Sequence, residues 1–313
     1  ASDVYKRQLA YLQVMYGSKF KAEVNRSDTS VVSGNVQRGM IFDSTGQVLV
    51  GNSAHQAIVY TKGVNVLSSD MYNVANRLAK YITVPTSSLT KRQLADYYLS
   101  DETTLAKVEK QIPGISGYSA DAKYDKAVAK VENYPSSTFS KATKNAATIF
   151  AKMSSAYQLS TVNIKDDNVS QREVALVGEH LADMPGVNVG TSWSRNYPNG
   201  QSIQGITGTV SNEKSGLPSD RINELLAQGY SRNDSVGQSY LERQYEPVLR
   251  GTKSQTQIVL NSDNQIKKEI KKYGGQKGDN LQLTINAKFQ KKLQALVRSA
   301  ESSAGAVSYT HLT

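Results

Sequence analysis

Three short strings in this chain set a serine or a lysine among the neighbours that an acyl-serine enzyme uses. Ser88-Leu89-Thr90-Lys91 has the S-x-x-K spacing, Ser262-Asp263-Asn264 has the form S-D-N, and Lys214-Ser215-Gly216 approximates K-T-G. Such a set places a nucleophilic hydroxyl beside an amine base, with further polar groups lining the cleft. Order and context speak against it here. The K-S-G string precedes S-D-N, the reverse of the enzymes. Ser88 lies in the polar stretch Pro85-Thr86-Ser87-Ser88, and Leu217-Pro218 closely follows Lys214 and makes it a loop residue. We therefore read all three as solvated loops and assign no catalytic residue, leaving a small serine hydrolase built on Ser88 and Lys91 as the alternative. There is no cysteine, which excludes a thiol nucleophile, a thiolate zinc site and a disulfide scaffold. The three histidines, His55, His180 and His311, are far apart in sequence. No metal site and no cofactor is expected.

The elements that must carry any chemistry follow from patterning. The 313 residues hold 37 Lys and Arg against 27 Asp and Glu, a formal charge of +10. The positive charge is scattered, and its densest cluster, Lys267, Lys268, Lys271 and Lys272, is split by Glu269 and reads as a short solvated helix. No nucleic-acid partner is expected. A basic surface with 18 tyrosines and no cysteine suits an anionic bacterial envelope. Leu9, Leu12, Tyr16 and Phe20 mark one face of a helix over 9–29. From Ser30 short β-like runs begin. Met40–Asp43 and Gln47–Val50 flank Ser44-Thr45-Gly46 as a hairpin, and His55–Thr61 reads as a third strand. Residues of about 66–184 are helix-rich, with helices expected at 90–98, 101–111, 121–132 and 140–155. Ser69 or Asp70 is placed to cap an earlier helix. Ser170 with Glu173 has capping-box spacing for a later one. His180 falls beside the apolar stripe of that later helix. Strand signals return at Val187–Tyr197, Gln255–Leu260 and Leu281–Ile285. Pro218-Ser219 is expected to open a helix with Ile222, Leu225 and Leu226 on one side, closed by Gly229, and another helix follows Asn286 with Phe289, Leu293, Leu296, Val297 and Ala300 on one face.

Three longer motifs are more specific. The first runs Arg38-Gly39-Met40-Ile41-Phe42-Asp43-Ser44-Thr45-Gly46 and on to Val50. The second is Arg195-Asn196-Tyr197-Pro198-Asn199-Gly200. The third is Gly237-Gln238-Ser239-Tyr240-Leu241-Glu242-Arg243-Gln244-Tyr245-Glu246. Together they resemble the R-G-x-I-x-D-R-x-G, R-x-Y-P-x-G and G-x-S-x-[LI]-E-x-x-Y-[DE] segments of class B penicillin-binding proteins, in that order. Leu281-Gln282-Leu283-Thr284-Ile285-Asn286 resembles the strand that begins their transpeptidase domain. Ser44-Thr45 stands where the family has Arg-Asn, Val50 where it has Ala, and Asn286 where it has Asp.

The resemblance implies an α+β fold, an elongated β-rich pedestal with an inserted helical head of the Gram-positive type. It divides the chain into a juxtamembrane helix at 9–29, a pedestal or dimerisation domain at 30–278 with its helical insertion at about 66–184, and the start of a transpeptidase domain at 279–306. Residues 1–8 and 307–313 resemble translated adapter sequence, so the chain is read as an internal fragment and His311 carries no chemistry. Arg38, Gly39, Asp43, Gly46, Arg195, Tyr197, Pro198, Gly237, Glu242 and Tyr245 are the interdomain residues that the motifs carry over. Among them Arg38 or Arg195 is expected to pair with Glu242, since an arginine and a carboxylate make a directional clamp. A separation above about 8 Å would exclude it, because ion pairing needs contact near 4 Å. The implied work is non-catalytic: positioning a penicillin-acylated, membrane-anchored D,D-transpeptidase on the extracytoplasmic face for peptidoglycan cross-linking. The implied partners are the chain's own transpeptidase domain, a lipid-II polymerase, divisome or elongasome proteins, and peptidoglycan or lipid II for the parent, with a homodimer permitted. A free-standing cell-wall-binding module is the third class of reading.

Overall fold

The computed structural model describes residues 29–34, 36–211, 215–260 and 266–303. The helix expected at 9–29 and both unusual ends lie outside these residues, apart from Thr29. That residue opens β1 (Thr29–Gly34).

The predicted hairpin is formed. β2 (Ile41–Phe42) pairs antiparallel with β3 (Val48–Thr61), Ile41 opposite Val50 and Phe42 opposite Val48. Gly46 turns the chain with φ +85°, a conformation that costs other residues a clash of Cβ with the backbone. The strand expected from His55 is the continuation of β3, which runs unbroken for 14 residues. Its middle, Gly51-Asn52-Ser53-Ala54, is locally loop-like. Ten consecutive partners on another strand hold it extended.

Polar caps define the helical block. α1 (Ser68–Leu78) is followed by α2 (Lys91–Leu99), α3 (Glu102–Lys110), α4 (Ala120–Glu132), α5 (Lys141–Ser154) and α6 (Gln171–Glu179). Thr90, Asp101, Ser119, Ser140 and Ser170 each accept a first-turn amide, which satisfies a donor the helix cannot. In the Ser170 box the Glu173 carboxylate accepts the Ser170 amide at 2.9 Å. For α1 the cap is Leu67, not Ser69 or Asp70, and Asp70 reaches back to accept the Leu67 amide. His180 ends α6 and stacks on Tyr81, ring centroids 4.5 Å apart.

Inside this block lies a strand the sequence did not announce. β4 (Thr161–Lys165) pairs antiparallel with the end of β3 and buries Val162 and Ile164. β5 (Val187–Asn196) pairs with β3 in ten register pairs, from Gly51 opposite Asn196 to Tyr60 opposite Val187. Around these strands Leu78, Ile149, Met153, Ile164, Val177 and Met184 form the larger core. A second one, with Leu99, Val108, Val128 and Phe139, lies among α2, α3 and α4.

The remaining chain contains α7 (Gln201–Thr207), α8 (Ile222–Ala227), α9 (Tyr240–Gln244), α10 (Glu246–Leu249), β6 (Ser254–Leu260), β7 (Ile266–Tyr273), β8 (Leu281–Gln282) and α11 (Ala287–Ser303). The lysine cluster is not a helix. It forms β7, antiparallel to β6, in a sheet ordered β1-β6-β7. Ile266 and Ile270 are four apart, which fits a helical face and a strand face equally; the hydrogen-bond partners offered by β6 decide for strand. β8 joins β2 in parallel, Ile41 opposite Leu281. Asn286 accepts the Phe289 amide and starts α11 as expected. The result is an α+β molecule.

Candidate functional site: a charge clamp and a helix anchor

Arg38 precedes the hairpin, Arg195 is the last residue but one of β5 and Glu242 lies in α9. The fold brings all three into contact. Arg38 Nε donates to Glu242 Oε2 at 2.7 Å, and its Nη2 donates to the Glu242 carbonyl at 3.1 Å. Arg195 Nε donates to Glu242 Oε1 at 2.9 Å. One carboxylate is thus held by two guanidinium groups, each on its own oxygen. Both expected ion pairs are present.

Burial makes the arrangement demanding. Glu242 is fully buried and Arg195 nearly so. Charges removed from water must be matched, and a second carboxylate supplies the match. Arg38 Nη2 donates to Glu246 Oε2 at 2.6 Å, and Glu246 also accepts the Tyr230 hydroxyl at 2.9 Å and the Gly237 amide at 2.7 Å. Two arginines and two glutamates cancel. Asn52 closes the ring, accepting from Arg195 Nη1 at 2.9 Å and donating to the Arg38 carbonyl at 2.7 Å. Burial pulls the Arg195 guanidinium below its ordinary value, Glu242 opposes this and the neighbouring Arg38 adds to it. Burial also pulls on Arg38, but its bond to Glu246 and the two carboxylate charges outweigh it and hold the group above its ordinary value. A Cβ on Gly237 would lie 2.0 Å from the Glu242 carbonyl oxygen, so only glycine lets the two backbones meet there.

Asp43 occupies the other end of the hairpin and performs a different task. It is fully buried. Its Oδ1 accepts the Thr45 amide and hydroxyl, both at 2.7 Å, and the Gln47 amide at 2.8 Å, which closes the hairpin turn. Its Oδ2 accepts the Ala287 amide at 3.0 Å, at the first residue of α11. The Ala287 bond, and then those from Thr45 and Gln47, hold the carboxyl well below the usual carboxylate range against the upward pull of burial. Backbone bonds continue the joint: the Leu281 amide donates to Met40, Leu283 to Phe42 and Ser44 to Ile285. Ile41, Leu49, Ile203, Leu249 and Ala287 form one core behind it, with Tyr197 packed against them.

Not every motif residue enters the site. Pro198 lies on the surface turn after β5, and Tyr245, at the end of α9, is 41% exposed. Its neighbour Glu246 is the buried member of that pair. The third motif contained Glu246, so its position was readable; Asn52 carried no signal. Ser88 and Lys91 are exposed on the loop before α2 and at its first residue, and Lys214 and Ser262 lie outside the described residues. His55 bonds Ser194 at 2.8 Å. No group of three metal-ligating side chains occurs among the described residues, and no described helix is long and apolar enough to cross a membrane.

The penicillin-binding protein dimerisation domain matches residues 33–283, most of the chain, including the clamp residues and the hairpin. The chain belongs to this family. Two curated relatives are similar to most of the chain. Penicillin-binding protein 2B of Streptococcus pneumoniae is 31% identical over 299 residues, which cover 93% of this chain and 44% of the relative. Penicillin-binding protein 2A of Bacillus subtilis is 32% identical over 310 residues, 97% of this chain and 43% of the relative. A solved structure of penicillin-binding protein 2B from S. pneumoniae superposes with TM-score 0.67 at 32% identity, covering 88% of this chain and 44% of that one. The chain therefore spans less than half the length of the relatives it matches. The clamp lies within the matched residues, and the anchor runs from them to Ala287 of α11.

Proposed function

We propose that residues 30–278, with a helical insertion at about 66–184, form the non-catalytic pedestal of a class B penicillin-binding protein. Residues 279–306 then begin its transpeptidase domain. The pedestal holds that domain on the extracytoplasmic face of the membrane for peptidoglycan cross-linking. The observation that carries this reading is the joint itself. Arg38, Arg195 and Glu242 fix three distant segments to one another, and Asp43 of the same hairpin caps the helix that leads onward. Such a joint transmits position rather than performing chemistry. Lipid-II polymerases and division or elongation proteins are the partner class this reading supports. The parent protein is acylated on a serine by penicillin.

The test uses the full-length protein with Asp43→Ala. Penicillin acylation should stay within about twofold of wild type, while the cross-linking rate falls several-fold. Unchanged cross-linking would remove the positioning role. In parallel, this chain alone should take up no fluorescent penicillin. Covalent labelling would favour the serine-hydrolase alternative on Ser88 and Lys91.

A further inference from the structure

A second site lies beside the clamp. A cleft of about 770 Å³ opens along β5, facing the segment that carries α8 and the start of β6. That volume is in the range of ligand sites. Five consecutive residues, Thr191 to Arg195, line it, so the strand presents its edge as well as its side chains. β5 pairs with β3 alone among the described residues, which leaves backbone donors and acceptors on that edge.

The lining is chemically specific. Trp193, the single tryptophan of the chain, is 38% exposed there, opposite the small Ala54. Tryptophan is a largely buried residue type, and an open indole offers a flat apolar face with a donor at its rim. Around it stand Ser192, Ser194, Asn163, Asp166 and His55. The cationic groups of the cleft are already engaged. Arg38 and Arg195 hold Glu242 and Glu246, Lys253 pairs with Asp234, and Arg250 lies over the Tyr230 ring. A polyanion would need cations free to meet it. An added peptide strand would need apolar pockets for alternate side chains, and the aliphatic lining is confined to Val36 and Val210. A flat aromatic ring amid hydroxyls, amides and the carboxylates of Asp166 and Asp167, with the cations of the cleft already engaged, matches the stacked apolar faces and radiating hydroxyls of sugar rings.

We propose that this cleft binds an uncharged oligosaccharide. The saccharide chemistry stands on the cleft alone; its natural source, the glycan of the cell wall, rests on the pedestal reading. Because Trp193 is the only tryptophan, its fluorescence reports the site directly. Titration of the chain with hexamers of N-acetylglucosamine should give a saturable shift or quench. Maltohexaose forms the second arm: a weaker response than to the amino sugar assigns the wall glycan as source, and an equal response assigns a general saccharide site. Asp166→Ala should weaken the response at least tenfold with far-ultraviolet circular dichroism unchanged. Trp193→Ala should abolish the binding heat in calorimetry. A flat titration to millimolar sugar, a response that Asp166→Ala leaves untouched, or a response only to an extended peptide or an oligonucleotide would overturn the proposal. Neither result alters the penicillin-labelling and cross-linking outcomes that test the pedestal reading.

Discussion

Glu242 sits without exposed surface between two guanidinium groups, and its worth is geometric more than thermodynamic. Bringing charges out of water costs nearly as much as their attraction returns, so a complete buried ion pair contributes little net stability. Removing one partner leaves the others uncompensated. Here Glu242→Ala strands Arg195, whose remaining side-chain partner is Asn52. Urea unfolding of this variant should show a loss of about 3–5 kcal/mol, the scale for breaking a buried pair from one side. Glu246→Ala should cost less at Arg195, because that guanidinium keeps its bond to Glu242, and more at Tyr230, which loses its acceptor. A loss below about 1 kcal/mol for Glu242→Ala, the size of an exposed pair, would mean that the clamp is solvated.

At the scale of elements, the anchor between the hairpin and α11 is pH-dependent through Asp43. Its carboxyl is held below the usual range in the folded protein and returns to about 3.9 when unfolded. The folded state therefore binds the proton less readily. The resulting stability is fully present above about pH 4 and is lost as the pH falls through the depressed folded value. Asp43→Asn should lower the urea midpoint at pH 7, and the gap to wild type should narrow at pH 3; a constant gap would place the stabilisation in shape rather than charge. Legibility followed the same division between local and distant causes. Ser170 with Glu173, Thr90 with Gln93 and the Gly46 turn are settled within a few residues, so their elements were readable from sequence. β4 and β7 were not. Thr161–Lys165 is too short to outweigh the helices around it, and the Lys267–Lys272 cluster fits either period until β6 supplies its partners. The clamp was readable in part because motifs named Arg38, Arg195 and Glu242. Asn52 enters only because β3 and β5 pair in a register that sets it opposite Arg195.

Across the whole molecule, one strand links two separate cores. Leu49 and Val50, at the start of β3, belong to the core behind the anchor, and Ile58 and Tyr60, near its end, to the core of the helical block. Between them Ala54, His55 and Gln56 are exposed, as is Trp193 opposite Ala54. The ribbon of β3 and β5 is thus continuous in its backbone bonds but carries no buried apolar middle. Cooperativity spreads through shared packing. Among the described residues the other contacts that cross, Asn233 to Ser155, Arg232 over Tyr157 and Ile258 against Val64 and Leu159, are few, so the two cores should open as separate units. Met153→Ala in α5 and Leu249→Ala in α10 each remove a fully buried side chain from one core, at a cost of about 2–5 kcal/mol. Native-state hydrogen exchange should show Met153→Ala lowering protection in α1, α5 and β4 while the β2 and β8 amides keep theirs. Leu249→Ala should do the reverse. Variants in distant, unshared cores act independently, so the double variant should show both losses side by side. Equal loss of protection in both regions from either single substitution would show that the ribbon couples the cores into one unit. In that case the helical block could pass strain to the Asp43 anchor, and the pedestal would act as a lever rather than a fixed support.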